Sequence, residues 1–219
     1  MKIAILGTRG IPARYGGFET CAEELSTGLV KKGHEVFVFC RKYLYPDGFK
    51  TYKGVKLIYL PSLRGKFTDT ISHTFLSIIF CLFKNPDVIL VFNSANSPLC
   101  ILPKIFGKKI IINVDGLEWK RKKWGFFGKI YYKFCEFFSC IIADEIICDS
   151  KTIGNYYEKK YKIKPVYIPY GAYIYNSYNP GILKKYNLEK MGYFFNGSRL
   201  EPENNQDLII KSFLKTDTD

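Results

Sequence analysis

The chain has 219 residues, 47% of them hydrophobic and 17% aromatic, which excludes a disordered, collagenous or disulfide-stapled class. Thirty-three Lys and Arg against 20 Asp and Glu leave a formal net charge of +13. That balance suits an anionic partner (nucleic acid, acidic lipid or a phosphorylated small molecule) or simply a soluble basic surface. The seven cysteines are odd in number, form no C-x-x-C pair and mostly lie in apolar runs, so they read as core thiols of a reducing compartment.

In chain order, Lys2 to Leu6 is a β-branched run that stops at Gly7. Arg9 and Arg14 follow it, a pattern at odds with a signal peptide. After a glycine-rich loop, Phe18, Cys21, Ala22, Leu25 and Leu29 recur at helical spacing, and Gly33 ends the helix. Glu35 to Cys40 and Val55 to Leu60 predict two more strands around a turn-rich stretch at Pro46, Asp47 and Gly48. Next come a helix over 69–83, a strand over 87–92, and a short helix capped by Ser97 with Pro98 in its first turn. The apolar run Ile71 to Phe83 is too short and too interrupted to span a bilayer, so no transmembrane helix is expected.

A strand over 109–114, an aromatic helix over 127–142, a strand over 145–148, a polar helix through Tyr156 and Tyr157, and a strand over 165–169 complete the alternation. Seven apolar strands separated mostly by helices predict an α/β fold with a Rossmann-like, doubly wound parallel sheet. Residues 1–170 then form the first domain, and 171–191 form a linker with one helical piece near Leu183. Residues 192–219 read as one strand (192–196) and one helix (202–214), the opening of an incomplete second Rossmann-like domain.

Three clusters are candidates for chemistry. The loop from Gly7 to Gly16 is long for a strand–helix connection and carries Arg9, Arg14, Gly16 and Gly17, with Glu19 just beyond. Glycines let a phosphate or sugar approach the backbone, arginines pair with phosphate, and a helix start offers free N–H groups. The alternative is an ordinary turn with solvated arginines. G-x-G-x-x-G cannot be laid on these glycines, which weighs against a nicotinamide or flavin oxidoreductase.

The second cluster runs from Asn113 through Asp115, Gly116 and Glu118 to Trp119, at the carboxyl end of a strand on the same sheet edge. Asp115 can orient a sugar hydroxyl or steady a developing positive centre, or merely cap a turn with Gly116. Glu118 can accept a hydrogen bond from an acceptor hydroxyl. Lys120, Arg121, Lys122, Lys123 and Trp124 then open a basic aromatic stretch reaching Phe138, which suits an anionic membrane surface or forms a core helix with a solvated basic turn. Nucleic acid is the weakest fit, because the cations cluster in one turn and no nucleic-acid-binding signature appears. The third cluster, Asn196 to Asn205, places Arg199, Asn204 and Asn205 at a predicted helix entry suited to a diphosphate.

Together these motifs closely resemble bacterial glycosyltransferases of family 4, with the GT-B fold, and within them the capsule and cell-wall rhamnosyltransferase-like group. The residues carrying the resemblance are Lys2 to Pro12, Tyr15 to Thr20, Asp115 to Arg121, Ile168 to Ala172 and Arg199 to Asn205. The resemblance implies a retaining, metal-independent and cofactor-free transfer of a hexosyl unit from a nucleotide-sugar to a polyprenyl-diphosphate-linked saccharide. The donor it implies is dTDP-rhamnose, and the place is the cytoplasmic membrane face. By the same resemblance Gly16 and Gly17 form the phosphate-side loop, Asp115 the acidic position near the donor sugar, and Arg199 the diphosphate-binding arginine. Asn204 stands where many relatives carry lysine. The glutamate-bearing donor motif lies beyond residue 219, so the resemblance implies a truncated or split enzyme that a separate chain could complete. A non-catalytic carbohydrate-lipid binding module is the alternative.

Overall fold

The computed structural model describes the chain except residues 47, 66–67, 115, 175–180, 199 and 217–219 and the side chain of residue 203. Two compact units emerge: residues 1–120 with 124–170, and residues 171–219 with 121–123.

The first unit contains β1 (Lys2–Leu6), α1 (Gly17–Lys31), β2 (Glu35–Arg41), β3 (Thr51–Tyr52), β4 (Val55–Leu60), α2 (Thr68–Lys84) and β5 (Val88–Phe92). There follow a 3₁₀ segment Ser94–Cys100, α3 (Ile101–Ile105), β6 (Lys109–Val114), α4 (Phe126–Ile142), β7 (Glu145–Cys148), α5 (Lys151–Tyr161) and β8 (Val166–Tyr167). The strands form one sheet in the order β3-β4-β2-β1-β5-β6-β7-β8. Every pairing is parallel except β3 with β4. The expected doubly wound α/β fold is thus present.

Period-2 alternation along the strands feeds two cores. Ala4, Leu6, Phe39, Ile89, Val91 and Ile112 pack with α2, α4 and α5 residues on one face. Ile3, Ile5, Val36, Val38, Leu90 and Phe92 pack with Ala22 of α1 and with Ile11 and Tyr45 on the other. The hairpin strand β3 escaped the sequence reading because it is two residues long. Its turn is made by Lys53 (φ 47°) and Gly54 (φ 85°), the paired positive φ values that suit a tight hairpin.

The predicted helix at Ser97 is corrected. Asn93, not Ser97, caps the 3₁₀ segment, its side chain accepting from Ala95 N–H at 2.9 Å. Ser97 lies within the segment and donates to the Cys135 carbonyl of α4 at 2.8 Å.

In the second unit, α6 (Gly181–Lys185), a 3₁₀ turn Pro202–Asn204 and α7 (Gln206–Phe213) are the regular elements among the described residues. The expected strand over 192–196 does not form. A strand needs a neighbour to take its N–H and C=O groups, and no strand among the described residues of this unit offers one. The single helix expected over 202–214 is divided at Asn205, whose left-handed backbone (φ 51°) ends the 3₁₀ turn before α7 starts.

Candidate functional site

Chain order in the sheet reverses between β1 and β5: β1 leads outward to β2 on one side, while β5 leads to β6 and β7 on the other. In open α/β sheets the crevice for ligands lies outside the carboxyl ends of the strands at such a point. The loop from Gly7 leaves β1 there. Gly7 has φ +84°, and a β-carbon on it would lie 2.2 Å from the Phe92 carbonyl oxygen at the end of β5. Only glycine lets the two strand ends run so close.

Carboxylates of α1 reach back to hold this loop. Glu19 is buried, and its Oε1 accepts from Arg9 N–H at 3.0 Å. Glu23 Oε2 accepts from Ala13 N–H at 2.7 Å, and its Oε1 from the Tyr52 hydroxyl at 2.7 Å. Partial burial raises the Glu23 pKa, but the hydrogen bonds from Ala13, Tyr52 and Lys53 outweigh it and hold the group below its ordinary value. Glu19, predicted to bind substrate, therefore acts as a brace. The Arg9 guanidinium lies 3.6 Å from the Tyr15 ring centroid. Arg14 donates from Nη1 to the Leu44 carbonyl at 2.8 Å, with Tyr45 beneath it at 4.9 Å. Gly16 precedes α1 with extended backbone and no side-chain cap, so the N–H groups of the first turn are not capped by a side chain. Gly17 faces Tyr170, whose ring would lie 3.7 Å from an added β-carbon.

Across the switch point, Asn93 N–H donates to the Asn113 carbonyl at 3.0 Å and Asn96 Nδ2 to the Phe92 carbonyl at 2.9 Å. Asn96 and Asn113 are both buried, and neither Oδ1 finds a donor among the described residues. Buried amide oxygens of this kind are acceptors that a hydroxyl can satisfy. The sequence reading did not single out Asn96, although a polar residue following an apolar strand end is the available signal.

Asp115, at the exit of β6, lies outside the described residues. The turn after it is built on two indole–carboxylate pairs. Glu118 is only 6% exposed and its Oε2 accepts from Trp124 Nε1 at 3.0 Å. Trp119 Nε1 donates to Glu136 Oε2 at 2.9 Å. Two earlier expectations change here. Glu118 is a buried structural carboxylate rather than an acceptor for substrate, because an indole N–H already engages it. Trp124, 7% exposed and packed on Tyr132 with ring centroids 4.9 Å apart, is a core residue and not a membrane contact. Lys120 and Lys122 are exposed, and Arg121 and Lys123 are half-exposed.

Glu136 was missed by the sequence reading. Buried at 3% exposure, its Oε1 accepts from Tyr156 at 2.7 Å, from Lys160 at 3.0 Å and from the Tyr161 hydroxyl. Burial pulls the Lys160 pKa down, but hydrogen bonds with Tyr156, Tyr161 and Glu136 outweigh it and hold the ammonium above its ordinary value.

In the second unit, Arg199 lies outside the described residues. Asn204 sits half-buried in the 3₁₀ turn and Asn205 is exposed. Gln206 Nε2 donates to Ser198 Oγ at 2.8 Å, which donates to Asn196 Oδ1 at 2.8 Å. Among the described residues no group of three His, Cys, Asp or Glu could hold a metal ion. Nor is any helix among them long and apolar enough to cross a membrane.

With this geometry in hand, the chain can be set beside known proteins. Sucrose-phosphate synthase from Thermosynechococcus elongatus superposes with a TM-score of 0.67 at 19% identity, over 86% of this chain and 53% of that one. HepE from Anabaena, in complex with UDP and glucose, gives 0.65 at 14% identity, over 100% of this chain and 59% of that one. The first unit has the Rossmann-like fold of GT-B glycosyltransferase domains. MnaA from S. aureus, in a structure with UDP, gives 0.52 at 16% identity, covering 85% of this chain and 51% of its own. The chain therefore spans between half and three-fifths of these neighbours. A domain of unknown function (DUF1972) matches residues 99–173, the stretch from the end of the 3₁₀ segment to just beyond β8, which contains both indole–carboxylate pairs. No curated protein matches the chain in sequence.

Proposed function

We propose that the chain supplies the acceptor-side part of a retaining glycosyltransferase. This enzyme moves a hexosyl unit, rhamnose from dTDP-rhamnose in the reading the sequence motifs favour, to a polyprenyl-diphosphate-linked saccharide in capsule, O-antigen or cell-wall polysaccharide synthesis. The observation that carries the reading is the carboxyl edge of the sheet, where a glycine-rich loop held on the start of α1 shares one edge of a GT-B fold with the exit of β6. A neighbour of the same fold holds UDP and glucose.

In this proposal the residues have separate roles. The N–H groups after Gly16 and Gly17, with Arg9 and Arg14, line the acceptor side. Asp115 stands near the donor sugar and steadies the positive charge that develops at its anomeric carbon. Arg199, with Asn204 and Asn205, serves the donor diphosphate. The acceptor oxygen bonds to the anomeric carbon as the bond to the leaving diphosphate breaks, and the acceptor's proton passes to that diphosphate. Protein groups position the reactants and screen charge. No metal takes part. In this reading a separate chain contributes to the donor side, and the complex works on the inner face of the cytoplasmic membrane.

The test incubates the chain with labelled dTDP-rhamnose and a lipid-linked acceptor, with and without the polypeptide encoded next to it. Transfer that needs both parts, and that falls at least about 100-fold in Asp115→Ala, is expected. Absence of transfer in every combination, with acceptor binding retained, would replace the enzyme by a binding module. The burial of Glu118 favours that second reading to the extent that it removes one candidate carboxylate from the site.

A further inference from the structure

The outward face of α4 is apolar from end to end. Phe126, Phe127, Ile130, Phe134, Phe137 and Ile141 recur along it, each at least half exposed, with Phe127 at 84%. The opposite side, Tyr132, Cys135, Glu136, Ser139 and Ile142, is buried. A surface helix ordinarily turns polar residues to water, and α4 instead presents aromatic rings. Two other helices on this face of the sheet behave alike. Phe83 at the end of α2 is 82% exposed, and Ile105 and Phe106 at the end of α3 are exposed too. Between them Ile79, Leu82, Phe83, Leu102 and Phe106 line a groove of about 500 Å³. Ile78 and Cys81 of α2, Leu102 of α3 and Ile142 of α4 pack into one core cluster, so the three helices form a single layer.

The exposed charges on the three helices themselves have one sign, while Asp144, just after α4, is exposed and paired with Lys104 of α3 at 2.6 Å. Lys129 and Lys133 of α4 and Lys84 at the end of α2 are exposed. The only acidic residue of α4, Glu136, is buried and paired with Lys160, and α3 has none. Asp69, the only acidic residue of α2, is held by Arg41 at 2.6 Å.

We propose that the α2–α3–α4 layer is a docking face for an anionic phospholipid bilayer, with the phenylalanines of α4 entering the headgroup–acyl boundary and the lysines meeting lipid phosphates. Aromatic rings rimmed by lysine are the chemistry such an interface recognises, while a second copy of the chain would set lysine against lysine. Within the basic aromatic stretch from Lys120 to Phe138, the contact thus leaves the buried Trp124 and rests on α4, and α2 and α3 extend it. Because α4 starts at the carboxyl edge of the sheet, the docked face begins beside the crevice. The inference rests on the membrane placement proposed above and names its face, and vesicle binding reads it separately from sugar transfer.

The experiment sediments the chain with phosphatidylcholine–phosphatidylglycerol vesicles and with pure phosphatidylcholine vesicles. Binding to the mixed vesicles is expected, weaker by about tenfold on the neutral ones. Phe127→Ser/Phe134→Ser/Phe137→Ser should lose at least about tenfold on the mixed vesicles. Lys129→Glu/Lys133→Gln should lose a comparable factor, and its residual binding should respond less to added salt than that of wild type. Both variants alter exposed side chains, and an unchanged melting transition confirms that they fold. Undiminished binding of the phenylalanine variant overturns the proposal. So does a wild-type chain that ignores the mixed vesicles and sediments as a dimer dissociated by the same substitutions, which would assign the face to a second copy.

Discussion

Replacing Glu136 tests whether the turn after β6 is held by the carboxylate buried beneath it. Four donors converge on this side chain, from Trp119, Tyr156, Lys160 and Tyr161. In Glu136→Ala the indole N–H and two phenols lose their acceptor in a site from which water is largely excluded. Lys160 is 41% exposed and regains water, so its contribution is screened and the cost falls at the low end of the range for a broken buried pair, about 3 kcal/mol. Glu136→Gln keeps the shape but points an amide N–H₂ at a donor on one side, which costs about 1–2 kcal/mol. The assay is built into the chain. Its two tryptophans, Trp119 and Trp124, both belong to this cluster, so intrinsic fluorescence during urea unfolding reports on the first unit directly. The alanine variant should unfold at markedly lower urea, with Trp119 emission already red-shifted before the transition. Should Glu136→Gln lie within about 0.5 kcal/mol of wild type with unchanged emission, the carboxylate does not organise the turn.

Three further outcomes can be checked on the same unit. Burial pushes the His73 pKa from 6.5 down to about 4, with Arg41 adding to it against the Cys40 backbone and Asp69. The unfolded chain therefore takes up a proton as pH drops below 6.5 while the folded chain does not until about 4. Up to about 3 kcal/mol of stability present above pH 6.5 should be lost across that window, and denaturant midpoints of His73→Phe should show a shallower fall. Gly7→Ala forces a β-carbon onto the Phe92 carbonyl at positive φ and should cost about 3 kcal/mol or more; a thermal midpoint like that of wild type would contradict the close approach of β1 and β5. Asp69→Ala leaves the buried Arg41 guanidinium without its carboxylate and should cost about 3–5 kcal/mol, most of it recovered in Arg41→Met/Asp69→Ala; equal losses in the single and double variants would rule out an uncompensated charge as the cause.

The parallel sheet was legible because β1, β2, β4, β5 and β6 are nearly continuous apolar runs, most of them bounded by Gly, Asn or Pro. Such runs have few other places in a soluble fold. What escaped depends on partners that the local sequence does not name. Tyr193 to Phe195 have strand-like side chains, yet a strand exists only where a neighbour takes its backbone groups. Ser97 and Asn93 are both good caps, and the chain direction at the end of β5 chose between them. Glu136 had a readable signal. A lone carboxylate inside the helix from Phe126 to Ile142 has either to face water or to be paired, and nearby tryptophan, tyrosine and lysine supply the pairs.

These partnerships also narrow where the chemistry of a sugar transfer can reside. Position at the carboxyl edge made Glu19 and Glu118 look like ligand groups, but both are buried and hydrogen-bonded to the protein: Glu19 to the backbone of the β1 loop, Glu118 to the Trp124 indole. A carboxylate held in this way fixes a loop and has little freedom to follow charge as it develops on a substrate. Of the acidic groups first considered at this edge, Asp115 is left as the one to which the proposed transfer assigns the developing charge. The braces give that assignment a consequence of its own. Glu118→Gln should weaken transfer in step with the loss of the Trp124 hydrogen bond and be relieved by stabilising conditions. Asp115→Asn should abolish transfer while the fold, read by the same two indoles, stays intact.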